Sequence, residues 1–82
     1  MTVLMAATRE DIARWFIEGQ SQGATHIIVV CDTFDWEDFP VYVLPQENVR
    51  EKADKQGRVM EVYSLSKSLE MQLNEYRAFH YD

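Results

Sequence analysis

The sequence predicts a single small α+β domain, a three-stranded sheet packed by helices in the order α-β-β-α-β-α. Three observations carry that reading. A capped amphipathic stretch lies near residues 8–23, a β-branched run at 24–31 is answered by a second run after a turn-rich segment, and a third strand-forming segment follows a short charged helix. Eighty-two residues support one core, so 1–82 is read as one domain. A content of 46% hydrophobic and 12% aromatic residues is more apolar mass than disordered chains carry.

Thr8 precedes Arg9-Glu10-Asp11, so its hydroxyl can accept from the Asp11 amide while the acidic side chains favour the positive helix end. Ile12, Trp15 and Phe16 then recur at i, i+3, i+4 and form one buried stripe, and Gly19 and Gly23 mark the helix end. Ala24 to Cys31 is rich in β-branched residues and reads as a mostly buried strand. Asp32 to Pro40 reads as a long loop, after which Pro40-Val41-Tyr42-Val43-Leu44 returns as a second strand with the proline at an edge or outside the ladder. Asn48 with Glu51 signals a helix cap, supported by the pairs Glu51–Lys55 and Asp54–Arg58 and ended by Gly57. Arg58 to Leu65 is expected to be the third strand because Val59, Val62 and Tyr63 are strand formers. Ser68 caps a last short helix with Leu69, Leu73 and Tyr76 as its apolar stripe, and Ala78 to Asp82 has no assignment. A crossover through the middle helix places strand three beside strand one, giving the order 2-1-3 with the most apolar strand at the centre.

Eight basic and fourteen acidic residues leave a net charge of −6, which disfavours binding to duplex nucleic acid. Residues 1–48 hold two of the bases and eight of the acids, so the whole excess sits there. The five-residue apolar run Ile27 to Cys31 is far short of the roughly 20 residues that span a bilayer. The start Met1-Thr2-Val3-Leu4 lacks a basic n-region, and one cysteine forms no internal disulfide, so a cytoplasmic protein is expected.

No catalytic constellation emerges, and the chain is read as non-enzymatic and without a cofactor. Cys31-Asp32-Thr33-Phe34-Asp35 resembles the aspartyl nucleophile strand of haloacid-dehalogenase-type phosphatases, but the aspartates are separated by two residues where those enzymes use one. Capping of local turns explains them better. Asp32, Asp35, Glu37 and Asp38 lack the alternate spacing and central glycine of a calcium loop, so no metal is expected. His26 and Cys31 stand five apart on a strand and point to opposite faces, which removes a thiolate–imidazole pair. Cys31 reads as a small buried hydrophobe, and His80 has no companion at ligand spacing. Phe34 and Phe39 are expected to fold back on the loop's own core, whereas Trp36 suits a partner anchor. Arg50, Lys52, Lys55 and Arg58 form the basic cluster of a solvated helix face, with Lys52 lacking an acidic partner at i, i+4 and left free for a small anion.

The stretch ATHIIVVCDTFD at 24–35, with Phe39-Pro40-Val41-Tyr42-Val43 and Val59-Met60-Glu61-Val62-Tyr63, resembles small uncharacterised proteins of tailed phages and bacteria. The resemblance implies no site residues. It does imply a role against host defence, for phage proteins of this size often sequester nucleotide immune signals or block defence complexes, and it would place the chain in the host cytoplasm. The first expectation is therefore a homodimer that sequesters a nucleotide signal in a pocket shared between subunits. Trp36, Tyr42 and Tyr63 would stack on the base, and Arg50 and Arg58 would hold phosphate. The alternative is an acidic inhibitor presenting Asp32, Asp35, Glu37 and Asp38 to a basic groove. A structural or interaction module without ligand is the third. A dimer is expected because a lone three-stranded sheet with short helices leaves apolar area uncovered.

Overall fold

The computed structural model describes residues 7–82, and the elements are α1 (Arg9–Gln22), β1 (His26–Asp32), β2 (Glu37–Val43), α2 (Val49–Asp54), β3 (Val59–Ser64) and α3 (Leu69–Leu73). The reading of Met1 to Leu4 lies outside those residues. The sheet has the expected order β2-β1-β3, with both neighbours antiparallel to the central strand.

Each helix starts where a short polar side chain replaces the missing carbonyl partner of a first-turn amide. Thr8 and Asp11 form a reciprocal capping box, and Asn48 and Ser68 accept from the amides of Glu51 and Met71. α1 ends at Gly23, whose φ of 76° is costly for any residue with a Cβ. Gly19 lies inside α1, where a Cβ would stand 3.1 Å from Leu65 and 3.4 Å from the Tyr42 ring, so its lack of a side chain lets the helix approach the sheet.

Alternation along β1 divides the core in two. Ile27 and Val29 face Ile12, Trp15 and Phe16 of α1, together with Tyr63 and Ala78. Ile28 and Val30 face the other way, towards Val43, Val62 and Ala53 of α2. Full burial of each large apolar side chain is worth about 1.5–3 kcal/mol, so the Ile12, Trp15 and Phe16 stripe is the main anchor of α1.

Several expectations are corrected. β2 begins at Glu37, paired with Asp32, so Pro40 is neither the strand's start nor outside the ladder but stands opposite Val29, on an edge strand as the first expected alternative has it. The connection is therefore a tight turn over residues 33–36 rather than a long loop. An edge strand tolerates proline because its missing N–H can face away from the ladder. α2 ends at Asp54 with right-handed Lys55 as its cap, so Gly57 is not its terminator. α3 ends at Leu73, which leaves Tyr76 off the apolar stripe and 96% exposed. Phe34, expected to fold back, is 89% exposed, and Phe39 is partly exposed.

Residues 78–82, unassigned from sequence, run along the outer edge of β3. Val62 donates to the Ala78 carbonyl at 2.8 Å and His80 donates to the Val62 carbonyl at 2.9 Å. The pairing is a parallel bridge between Val62 and Phe79. Among the described residues, no helix is long and apolar enough to cross a membrane.

Candidate functional site

The turn joining β1 and β2 is built by Asp32. Its carbonyl accepts from the Trp36 amide at 2.6 Å, and its Oδ1 accepts from the Phe34 amide at 2.8 Å, an aspartate turn that fixes the first bend. Closing the turn requires the left-handed region at residue 36, and Trp36 has φ 58°. Glycine or asparagine is usual there, and another residue costs roughly 1–2 kcal/mol. The turn lifts Phe34 into solvent and leaves Trp36 46% exposed.

Register places the neighbouring charges. Asp32 and Glu37 stand directly opposite each other at the mouth of the hairpin, a like-charge pair that disfavours the ladder. By alternation they share a face with Val30, Phe39 and Val41, the α2 side of the sheet. Asp38 points to the other side, where its Oδ2 accepts from the Ala7 amide at 3.1 Å. The acidic segment is thus split: Asp32, Asp35 and Glu37 lie with the exposed aromatics at the tip, and Asp38 ties down the approach to α1. Among the described residues, no three metal-ligating side chains gather at one point.

The five residues expected to hold a nucleotide are dispersed within one chain. Tyr63 is 2% exposed in the α1-side core, with its hydroxyl donating to Glu61 at 2.9 Å, so it is a packing residue and not a stacking surface. Its parity with Ile27 across the ladder puts it under α1. Tyr42 is on that same side and donates to Glu18 at 3.0 Å; burial, then the Glu18 carboxylate, push its phenol up to about 12. Arg50 lies on the opposite side, its guanidinium 4.3 Å from the centre of the Tyr81 ring. Arg58 is exposed and enters the site through its backbone, its carbonyl accepting from the Cys31 amide at 2.8 Å. Only Trp36 of the five stands at the hairpin tip.

Lys52 is not free for an anion. Its ammonium donates to both oxygens of Glu47 at 2.8 Å and to the Tyr42 carbonyl at 3.0 Å, and this ion pair holds the Glu47 carboxyl below its usual range. The sequence pattern missed Glu47 because it precedes the helix. Cys31 lies opposite Asp38, and burial followed by that carboxylate raises its thiol, which suppresses the thiolate a nucleophile needs. His26 is on the other face of β1, as strand parity required.

Among the described residues, two surface hollows lie away from the hairpin tip. One of about 470 Å³ lies at the end of the sheet remote from the hairpin, lined by Gln20, Thr25, His26, Leu65, Ser66 and Asp82 among others. The second, of about 280 Å³, lies along α2 between Glu47 and Gln56. Neither is lined by a residue of the hairpin tip or by the five nucleotide candidates. Comparison with protein-family models, curated proteins and solved structures found no match to the chain.

Proposed function

We propose that the protein is a non-enzymatic interaction module that docks the β1–β2 hairpin tip onto a basic, partly apolar surface of a partner protein. The observation that carries this reading is the tip itself, where Phe34 and Trp36 are exposed beside the facing carboxylates Asp32 and Glu37. A bulky residue in the left-handed region and a like-charge cross-strand pair both cost stability, and such costs concentrate at functional sites. A partner presenting arginine or lysine around an apolar hollow turns both features to advantage, since aromatic anchors supply affinity and complementary charge supplies steering. The resemblance to small phage proteins makes a host defence complex the first partner to test. Sequestration of a nucleotide signal has less support, because Tyr63 is buried, Tyr42 is held by Glu18 and Arg50 lies over Tyr81.

The test is crosslinking of the folded protein to host proteins, paired with titration calorimetry against cyclic nucleotides and nucleotide-ribose signals. A salt-sensitive partner lost with Trp36→Ala or Glu37→Gln and retained with Arg50→Ala and Arg58→Ala supports the docking reading. Stoichiometric nucleotide binding that depends on Arg50 and Arg58 overturns it.

A further inference from the structure

The outer edge of β3 is closed by pieces of chain that are not a regular strand. Residues 78–82 pair with Val62, the Gln72 side chain pairs with the Ser64 backbone, and the Arg77 guanidinium reaches the Met60 carbonyl at 3.5 Å. The opposite edge, on β2, is guarded by Pro40 and by the Lys52 ammonium on the Tyr42 carbonyl. Both features hinder edge-to-edge pairing of two sheets, since proline removes one donor and the ammonium occupies one acceptor of the β2 edge.

The 78–82 segment is held by small and separate anchors. Ala78 is its fully buried residue, and it is a small one. Tyr81 packs into the α2-side cluster beneath Arg50. The segment's side-chain hydrogen bonds join Glu75 with His80 at 2.6 Å, Lys67 with His80 at 3.4 Å and with Asp82 at 3.2 Å, His26 with the Asp82 carbonyl at 3.0 Å, and the Ala78 amide with Glu61 at 3.3 Å, while Phe79 is half exposed. Residues 74–77 join α3 to this segment, and Glu75, Tyr76 and Arg77 are exposed. Few buried apolar atoms, exposed polar hooks and an exposed connector are the marks of a segment that opens before the rest of a domain.

We infer that residues 78–82 form a releasable strap which exchanges between two copies of the chain, each β3 edge receiving the strap of the other copy. Every strap contact is then remade in the exchanged pair with the same partners, so the two forms differ chiefly at the 74–77 connector, and association is favoured by concentration. The expected dimer thereby acquires a route that needs neither a free sheet edge nor a new apolar interface.

Two measurements decide it. In native-state hydrogen exchange of the whole protein, the Val62 and His80 amides, whose partners lie across the strap junction, are expected to exchange at least tenfold faster than those of Ile28 and Val29. Equal rates would show that the strap leaves only with global unfolding and would overturn the inference. In a Cys31→Ser background, Lys67→Cys and Asp82→Cys are joined by a short bis-maleimide immediately after dilution from a concentrated stock. A covalent dimer that survives denaturation is the expected product. A link confined to single chains, even from the most concentrated stock, shows that the strap opens and recloses on its own body, which also overturns exchange.

Discussion

The Gln72 side chain pairs with both backbone polar groups of Ser64: its Oε1 accepts from the Ser64 amide at 2.8 Å and its Nε2 donates to the Ser64 carbonyl at 2.9 Å. A single amide thus replaces one rung of a missing neighbouring strand. Nε2 also lies within 3.1 Å of the Ser68 carbonyl, so the group ties the end of β3 to the start of α3. Both Gln72 and Ser64 are fully buried, and no buried side-chain polar atom among the described residues lacks a partner.

Replacement of Gln72 by leucine keeps most of the volume but strands a buried N–H and C=O on Ser64. Such groups cost about 1–3 kcal/mol each when unpaired, so Gln72→Leu should lower stability by roughly 2–4 kcal/mol in urea unfolding. Gln72→Glu should also destabilise, because it replaces the donor with a second acceptor facing the Ser64 carbonyl. A change below about 0.5 kcal/mol in Gln72→Leu would mean that water replaces the side chain without loss.

What sequence alone conveyed was local. Thr8, Asn48 and Ser68 are followed within three residues by the amides they cap, and the strand order follows from three strand-forming runs and one crossover helix. What it missed depends on register. Tyr63 is a stacking candidate until its pairing with Ile27 puts it beneath α1. Asp38 belongs to an acidic cluster until alternation turns it from Glu37 towards the Ala7 amide. Gln72 and residues 78–82 carry no pattern, because backbone groups of β3 are partners that almost any residue type supplies, and the side-chain partners of His80, Tyr81 and Asp82 are distant in sequence or off any periodic spacing.

Trp36→Gly should leave the fold intact and its stability unchanged or raised by up to about 1 kcal/mol. Glycine removes the left-handed strain of φ 58°, offset in part by the greater freedom it gives the unfolded chain. The ring is partly exposed, so little packing is lost. A loss above about 1 kcal/mol in thermal or urea unfolding would show that the indole belongs to the core and would remove it as a docking anchor.

Alkaline titration should reveal Tyr42. Its phenol, ordinarily near 10 as in the unfolded chain, is pushed up to about 12 in the folded one, first by burial and then by Glu18. Its contribution to stability is therefore complete below pH 10 and is lost as the pH rises through about 12. Ultraviolet absorbance of the phenolate should lose one late-ionising group in Tyr42→Phe, and Glu18→Gln should bring that group to lower pH without restoring the ordinary value, because burial persists. An unchanged titration curve in Tyr42→Phe would refute the assignment.

Calcium and magnesium should leave the melting temperature unchanged, despite four carboxylates within residues 32–38. A divalent ion of the calcium type collects six to eight oxygens around one centre. Here Asp38 is turned to the α1 side on the Ala7 amide, while Asp32 spends one oxygen on the Phe34 amide to hold the turn. Gathering the carboxylates about an ion requires breaking the turn and reversing a residue of β2, and a one-residue reversal moves every side chain of that strand to the other face. Ion binding to the native state would raise the melting temperature with concentration. A rise of several degrees with millimolar calcium, abolished by Asp35→Asn, would show that the hairpin rearranges to ligate and would reassign its acidic tip from protein docking to ion binding.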